Sequence, residues 1–342
     1  MRSFFSSSFL TLVSLVFAVG LFELACRTIV DTGMHYHLEM WKYAVSLKEV
    51  ADDPAIGHRH KAVSEAHLMG VDVKIIADGL RDRERPDLTE DTVKVLMLGD
   101  SITFGWGVPQ AETVSARLET LLPQQTGQSF AVINSGVGNY NTAMEVAWFE
   151  RYGLDHEPDA VVLNVFINDA EITPANTDIH WWDRALYSRV VLFGALDTAR
   201  RLVFGGVDWK TYYRDLYTPA NSGWLTMQSS IARLAELCRE NGIPLVLVDY
   251  PELREVSPYP FPDVSEKISV AAFEQQTAYI SLLPAVENEA PSALWVTEPD
   301  PHPNSYANQL FAEYLAPRLG QVLSLANGWS AGDVDDTGAI AP

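Results

Sequence analysis

"VKVLMLGDSITFGWGV", residues 93–108, decides the reading of this chain. The mostly apolar run Val93–Leu98 reads as a strand covered on both faces. It breaks at Gly99-Asp100-Ser101 into a sharp turn, so a buried strand delivers a carboxylate and a hydroxyl at its C-terminal tip. Asp, Ser and Gly favour turns for local reasons alone. The tripeptide by itself therefore fits either a hydrophilic turn or the seat of a nucleophile. A serine works as a nucleophile only when a base takes its proton and donors hold the oxyanion that forms. Ser101 lies between a strand and a helix, which puts its own N–H near a helix N-terminus, where backbone donors are unpaired.

Working outward, the pattern alternates. "FAVIN" (130–134), "AVVLNVF" (160–166), "PLVLVDY" (244–250) and "AYISLL" (278–283) read as further strands. "AETVSARLETLL", "TAMEVAWFERYGL", "WLTMQSSIARLAELCRENG" and "VSEKISVAAFEQQT" read as helices between them. "SALWVTEPDPHPN" reads as a loop and "SYANQLFAEYLAPRL" as a last helix capped by Ser305. This alternation predicts an α/β three-layer sandwich with a central parallel sheet. Chemistry in such sheets gathers beyond the carboxyl ends of the strands. Asp100-Ser101, Asn139 with its neighbours, and Asn168-Asp169 all fall there.

Composition narrows the class. The 342 residues are 47% apolar and suit a globular protein with a sizeable core. A formal charge of −21, from 45 acidic against 24 basic residues, excludes a nucleic-acid partner and disfavours electrostatic docking on anionic lipid. Cys26 and Cys238 have no zinc or redox spacing, and no disulfide between them is expected. No metal and no cofactor is expected either.

From Ser3 to Phe22 twenty residues carry no charge, with Arg2 before them and Glu23 and Arg27 after. As a helix that length spans a hydrocarbon core of roughly 30 Å. A cleaved signal peptide is the alternative. No small-x-small cleavage site follows, and Glu23 spoils a lipobox before Cys26, so an uncleaved single-pass transmembrane anchor is the favoured reading of residues 1–27. Arg2 points to an extracytoplasmic domain on the inner membrane, periplasmic in a Gram-negative cell. Residues 28–91, with the amphipathic stretch "YHLEMWKYAVSLKEV", read as a stalk or accessory segment. Residues 92–325 form the main domain. Within it 170–222 break the alternation and read as an insertion laid over the strand ends. Residues 326–342 read as a disordered tail.

The base must come from eight histidines. His35, His37, His58, His60 and His67 precede the sheet, and His58-Arg59-His60 reads as surface rather than metal site. His156 falls at the amino end of a strand, and His180 lies in the aromatic insertion. His302, in "EPDPHPN", sits where a loop reaches back over the strand tips. With these blocks in order, residues from about Thr92 to Leu325 resemble the SGNH/GDSL hydrolase superfamily, which implies a flavodoxin-like fold and acyl transfer through a serine. "GDSITFGWG" matches its first block and makes Ser101 the nucleophile. "FIND" stands for the usual G-x-N-D and makes Asn168 the oxyanion-hole amide. "PDPHPN" stands for D-x-x-H and makes His302 the base.

Three positions depart from the pattern. "INSGVGNYNT" places Asn139 where the family has the glycine whose N–H serves the oxyanion, with Gly138 one residue earlier. Phe166 replaces the glycine of the Asn168 block. Pro299, not aspartate, stands three residues before His302. Asp300 is two before it, and residues two apart in an extended segment share a face, so Asp300 is expected to orient the imidazole. Glu298 is the fallback, and a Ser-His dyad the third option. Asp100 reads as an organiser of the turn and Asp169 as structural.

The leading functional expectation is an envelope-tethered serine esterase acting on O-acyl, chiefly O-acetyl, esters of a glycan. A polysaccharide O-acetyltransferase supplied by an acyl-donor partner, and a catalytically silent glycan-binding or scaffold subunit, are the alternatives. Gly138, Trp181 and Trp182 are candidate substrate contacts. Those tryptophans, with Trp209, Tyr212 and Tyr213, either stack on a sugar or pack the insertion. "SRVVLFGALDTARRLVF" either touches the membrane or, the favoured reading, is an ordinary buried helix.

Overall fold

Helix α1 (Arg2–Ala25) passes through a π-helical turn at Cys26–Val30 towards α2 (Tyr36–Leu47). Strands β1 (Lys48–Val50) and β2 (His58–His60) form one antiparallel pair, and β3 (Ser64–Leu68) and β4 (Val71–Ile75) another. Then come β5 (Thr92–Leu98), α3 (Ser101–Phe104), α4 (Val114–Thr126), β6 (Ser129–Asn134), α5 (Thr142–Tyr152) and β7 (Ala160–Val165). The insertion supplies α6 (Trp181–Ala185), α7 (Tyr187–Phe204) and α8 (Trp209–Leu216). The chain closes with α9 (Ser222–Glu240), β8 (Leu245–Asp249), α10 (Pro262–Glu274), β9 (Ala278–Ser281), β10 (Trp295–Thr297), β11 (Asp300–Pro303) and α11 (Ser305–Asn327). This computed structural model describes residues 2–85, 88–173, 181–204, 208–298 and 300–327.

Five strands pair in parallel in the order β6-β5-β7-β8-β9. The chain leaves β5 towards β6 on one side and returns to β7 on the other. The crevice beyond β5 and β7 is thus the topological switch point, where open α/β sheets bind ligands. Ser101 follows β5 and Asn168 follows β7.

Alternation along the strands builds the layers. Val95 and Met97 face the side covered by α4 and α11, and Leu96 and Leu98 the side covered by α5, α9 and α10. Val114, Leu118 and Leu122 on α4, and Phe311, Leu315, Leu319 and Leu323 on α11, recur at fourth positions and are buried. The α/β sandwich read from the alternation is the fold observed.

Several local readings are corrected. Helix α2 ends at Leu47, because Lys48-Glu49-Val50 pairs with residues 58–60 as a strand. That pairing turns His58-Arg59-His60 from surface into β2 and buries His60. Asn304, not Ser305, caps α11: its Oδ1 accepts from the N–H of Tyr306 and of Ala307, each at 3.0 Å. The supposed loop at 292–304 contains the antiparallel pair β10–β11. Residues 326 and 327 complete α11, and 328–342 lie outside the described residues. Cys26 and Cys238 are free and buried.

Helix α7 is not an ordinary buried helix. Gly194 faces His37 of α2 so closely that a Cβ there would come 3.1 Å from His37 Cδ2. The opposite side leaves Leu192, Phe193 and Leu196 49%, 59% and 54% exposed. Its N-terminus is held by α1, whose Glu23 accepts from the N–H of Ser188 at 2.8 Å and of Tyr187 at 3.2 Å. Arg27 pairs with Glu23 at 2.7 Å and donates to Ala185 O at 2.6 Å.

Residues 36–75 fold onto the sheet's carboxyl edge. Tyr43, Leu47, Leu68, Met69, Val73 and Ile75 share one apolar cluster with Phe104 and Trp106.

Glu145 on α5 and Asp169 after β7 are both buried. Burial, reinforced for Glu145 by Asp169 and Asp100 and for Asp169 by Asp100, lifts both well above the usual carboxylate range. The folded chain therefore holds these protons more tightly than the unfolded one. The stability they contribute is complete below the ordinary carboxyl value of about 4 and is lost as pH rises through the folded value. Glu145→Gln, which cannot ionise, should gain Tm relative to the parent protein as pH rises from 4 to 8. Thermal unfolding of both proteins across that range checks this, and a constant difference contradicts it.

Candidate active site

The nucleophile's seat depends on Gly99, whose φ is +158°. A Cβ there would lie 2.0 Å from Thr103 Oγ1, so only glycine lets the chain turn so tightly off β5. Asp100 then caps α3 by accepting from the Ile102 N–H at 2.8 Å, the organising role read from sequence. Ser101 is left at the strand tip, its Oγ 2.9 Å from His302 Nε2 and 3.3 Å from Asp100 Oδ2.

The partner arrives on β11. Because Asp300 and His302 lie on one strand, two residues apart, their side chains share a face. Asp300 Oδ1 bonds to His302 Nδ1 and also accepts the His302 backbone N–H at 3.2 Å. A carboxylate only accepts, so Nδ1 carries the imidazole proton and Nε2 is left to receive the Ser101 hydroxyl proton. The other oxygen, Oδ2, accepts from Trp106 Nε1 at 2.8 Å. Asp300, not Glu298, thus completes the series, while Pro299 lies outside the described residues.

Charge follows this geometry. Burial opposes an imidazolium at His302, but the hydrogen bond and charge of Asp300, with Asp100 and Glu252 nearby, outweigh it and raise its pKa above the ordinary value. Burial likewise opposes a carboxylate at Asp300, yet its bonds to His302 and Trp106 hold its pKa below the usual range.

Asn168 lines the same cavity as Ser101 and His302, and its Oδ1 is buried with no partner among the described residues. The block-two loop extends the β5–β6 ladder past the strand ends, with Ser135 N–H on Met97 O and Val137 N–H on Gly99 O, each at 3.1 Å. Asn139 has φ +67°, the left-handed conformation that explains a family glycine and that asparagine tolerates better than most residues.

Gly138, a candidate substrate contact, is not among the residues lining the Ser101 cavity. Its N–H donates to Tyr43 Oη at 2.9 Å, and its carbonyl accepts from Lys48 Nζ and, at 3.0 Å, from His58 Nε2. Asn139, the expected block-two oxyanion donor, lines a separate cavity of about 630 Å³ and not the one at Ser101. The side chains of Trp181 and Trp182 lie outside the described residues. Trp209 and Tyr213 pack edge-on against Phe261 at 5.5 and 5.9 Å. Tyr212 donates to Glu171 at 3.0 Å. Packing thus accounts for these aromatics, although Tyr213 also reaches the Ser101 cavity.

Sequence reasoning missed Trp106, Tyr36, Glu252 and Arg254. The last three line the Ser101 cavity. Only Trp106 had a visible signal, an aromatic bracketed by glycines just after the nucleophile block.

Fold and site together define an ester-hydrolysing enzyme built on a doubly wound sheet. The sequence pattern of the GDSL-like lipase/acylhydrolase family matches residues 97–310, and the chain belongs to that family. Among solved structures it is similar to TesA, with 17% identity and a TM-score of 0.44 over 67% of this chain and 99% of that one. It is also similar to a two-domain esterase (CEX) active on acetylated mannans, with 15% identity and a TM-score of 0.41 over 73% and 53%. A third likeness is to a catalytic mutant of Axe2, an acetylxylan esterase from Geobacillus stearothermophilus, with 14% identity and a TM-score of 0.41 over 70% and 95%. No curated protein sequence matches the chain.

With His302 neutral as the working form, kcat/KM should rise with pH through a value above the ordinary 6.5 or so of histidine. Asp300→Asn should lower kcat by about 10⁴-fold and move that limb to lower pH. A pH–rate profile of both proteins reads the two effects together. Asn168→Ala should lower kcat by about 10²- to 10³-fold with little change in KM, measured by steady-state ester hydrolysis.

Proposed function

We propose that this enzyme removes short acyl groups, acetyl above all, from O-acylated glycans outside the cytoplasm, held to the membrane by α1. The observation that carries the chemistry is the continuous series Ser101 Oγ, His302, Asp300. Ser101 Oγ attacks the ester carbonyl as His302 Nε2 takes its proton, and the carbonyl π bond opens to an oxyanion. The N–H of Ser101 and the Asn168 amide stabilise that oxyanion, and Asp300 stabilises the imidazolium. The oxyanion collapses, the C–O bond to the alcohol breaks, and His302 returns its proton to the leaving oxygen. Water, deprotonated by the same imidazole, then attacks the acyl-enzyme and restores Ser101.

Cavity size supports a short acyl group. The space at Ser101 is about 190 Å³, below the roughly 300–1,000 Å³ of pockets for drug-sized ligands. Phe166, which stands where the family has glycine, narrows it. Tyr36 and the Glu252–Arg254 pair, joined at 2.6 Å, give its wall a polar side suited to a sugar alcohol.

Membrane attachment is supported by the apolar stretch Ser8–Val30, which has a mean hydropathy of 2.3 and is the one helix among the described residues long and apolar enough to cross a bilayer. The Glu23 and Arg27 contacts join that span directly to the insertion. The exposed Leu192, Phe193 and Leu196 then face the lipid surface near its end, which sets the domain directly on the membrane.

Fluorophosphonate treatment followed by mass spectrometry should modify Ser101 and leave Ser101→Ala unmodified. Across p-nitrophenyl esters, kcat/KM should be highest for acetate and fall by about tenfold or more beyond butyrate. Acetylated oligosaccharides should release acetate, and an added glycan alcohol should leave that release undiminished. An unmodified Ser101 in folded protein would favour the scaffold reading, and a preference for long chains contradicts the short-acyl assignment.

A further inference from the structure

The strand that carries both Asp300 and His302 is weakly tied by its own backbone. Of the four residues of β11, Asp300-Pro301-His302-Pro303, two are prolines with no N–H to donate, and the His302 N–H goes to Asp300 Oδ1. Pairing with β10 falls at Trp295 with Pro303 and Thr297 with Asp300, with a shift of register between them. Just past β11 the chain is secured by Asn304. Its N–H donates to Leu294 O at 2.8 Å, and its side-chain amide donates to Ala293 O and Trp295 O at 2.8 and 3.0 Å. At the other end, Asp300 is held by a side chain from the nucleophile block: Trp106 Nε1–H donates to its Oδ2 at 2.8 Å.

Trp106 is itself closely held. Its backbone N–H donates to Ser101 O at 3.0 Å. Gly107 follows with φ +74°, and a Cβ there would lie 2.6 Å from Val296 Cγ1 on β10, so only glycine lets this turn press against the hairpin. The indole is buried, with the Tyr43 ring edge-on at 5.7 Å and the His302 ring at 6.2 Å. A closed circuit of hydrogen bonds results. It runs from Ser101 Oγ to His302 Nε2, from His302 Nδ1 to Asp300 Oδ1, from Asp300 Oδ2 to Trp106 Nε1, and from the Trp106 N–H back to Ser101 O. The short 101–106 segment thus ties the carboxylate directly to the serine that its histidine serves.

We infer that Trp106 is a positioning residue: its indole N–H fixes the Asp300 carboxylate, and through it the His302 ring, against Ser101. The indole suits this task chemically. It donates only, so it cannot take a proton from His302, and it carries no charge to draw the carboxylate away from the imidazolium. A buried indole N–H also needs an acceptor, and Asp300 Oδ2 is the one within reach. The accessory segment enters through Tyr43, Leu47 and Met69, which share the apolar cluster of Trp106. This inference rests on the reading of Ser101, His302 and Asp300 as the acyl-transfer series. The imidazole must be correctly oriented when it becomes a cation in the transition state, so the loss of Trp106 appears in kcat rather than KM.

The test replaces Trp106 in the full chain in two ways and measures hydrolysis of p-nitrophenyl acetate, with circular dichroism to confirm folding. Trp106→Phe removes the N–H and part of the ring. Benzothienylalanine, introduced at position 106 by nonsense suppression, keeps the bicyclic shape and puts sulfur where the N–H stood. Each replacement should lower kcat by about 10- to 100-fold with KM within about twofold, the rate equivalent of one hydrogen bond to a charged group. Neither should bring a further loss in an Asp300→Asn background, because a residue acting through Asp300 then has no carboxylate to act on. The benzothienylalanine protein decides the matter if Trp106→Phe does not fold. Unchanged kcat in that protein, a loss confined to KM, or losses that multiply with that of Asp300→Asn overturn the inference. Fluorophosphonate modification of Ser101 in the parent separates that result from failure of the Ser101 reading, in which the parent itself stays unmodified.

Discussion

The hydrogen bond from Ser101 Oγ to His302 Nε2 joins positions 201 residues apart, and most of the fold can be understood as what keeps it at 2.9 Å. One end stands on β5, which is flanked by β6 and β7 and covered on both faces. The other stands on β11, tied to β10 and leading directly into α11. Because α11 packs its apolar stripe against the same sheet face as α4, the histidine strand is anchored to the core that positions the serine. Packed cores resist small displacements, so neither end can drift without disturbing both.

Around that contact the protein is strict about charge. Asp300 is buried yet ionised because both of its oxygens are engaged, by His302 and by Trp106. Glu145 and Asp169 are buried with less compensation, and burial drives them towards the neutral form instead. The difference follows from partners: a buried carboxylate keeps its charge only where hydrogen bonds and an opposite charge replace the water it lost. An acidic chain therefore keeps Asp300 charged where the reaction forms a cation, with Asp100 and Glu252 adding to the favourable field.

The N-terminal segment shows how local patterns mislead about roles. Its amphipathic helix and short extended pieces have too few apolar residues for a core of their own, which suggested a stalk. In the fold they complete a core with Phe104 and Trp106, residues of the nucleophile block itself. The segment reaches the site through Tyr36 in the Ser101 cavity, and its Tyr43 and Lys48 hold the loop at Gly138.

By itself the sequence determined the alternating sheet and the strand tips that carry Ser101 and Asn168, and it favoured Asp300 over Glu298 as the partner of His302, because apolar periodicity and two-residue spacing are local properties of the chain. It could not show that residues 295–303 form a hairpin, since the motif there is short, polar and rich in proline. Nor could it show that His60 is buried, that Trp106 meets Asp300, or that Gly138 is fully engaged by Tyr43, Lys48 and His58. Each of those facts is a contact between segments distant in sequence, decided only when the sheet's strand order and the packing of the N-terminal segment bring them together. No spacing along the chain encodes which side chain will fill a space that three separate elements enclose.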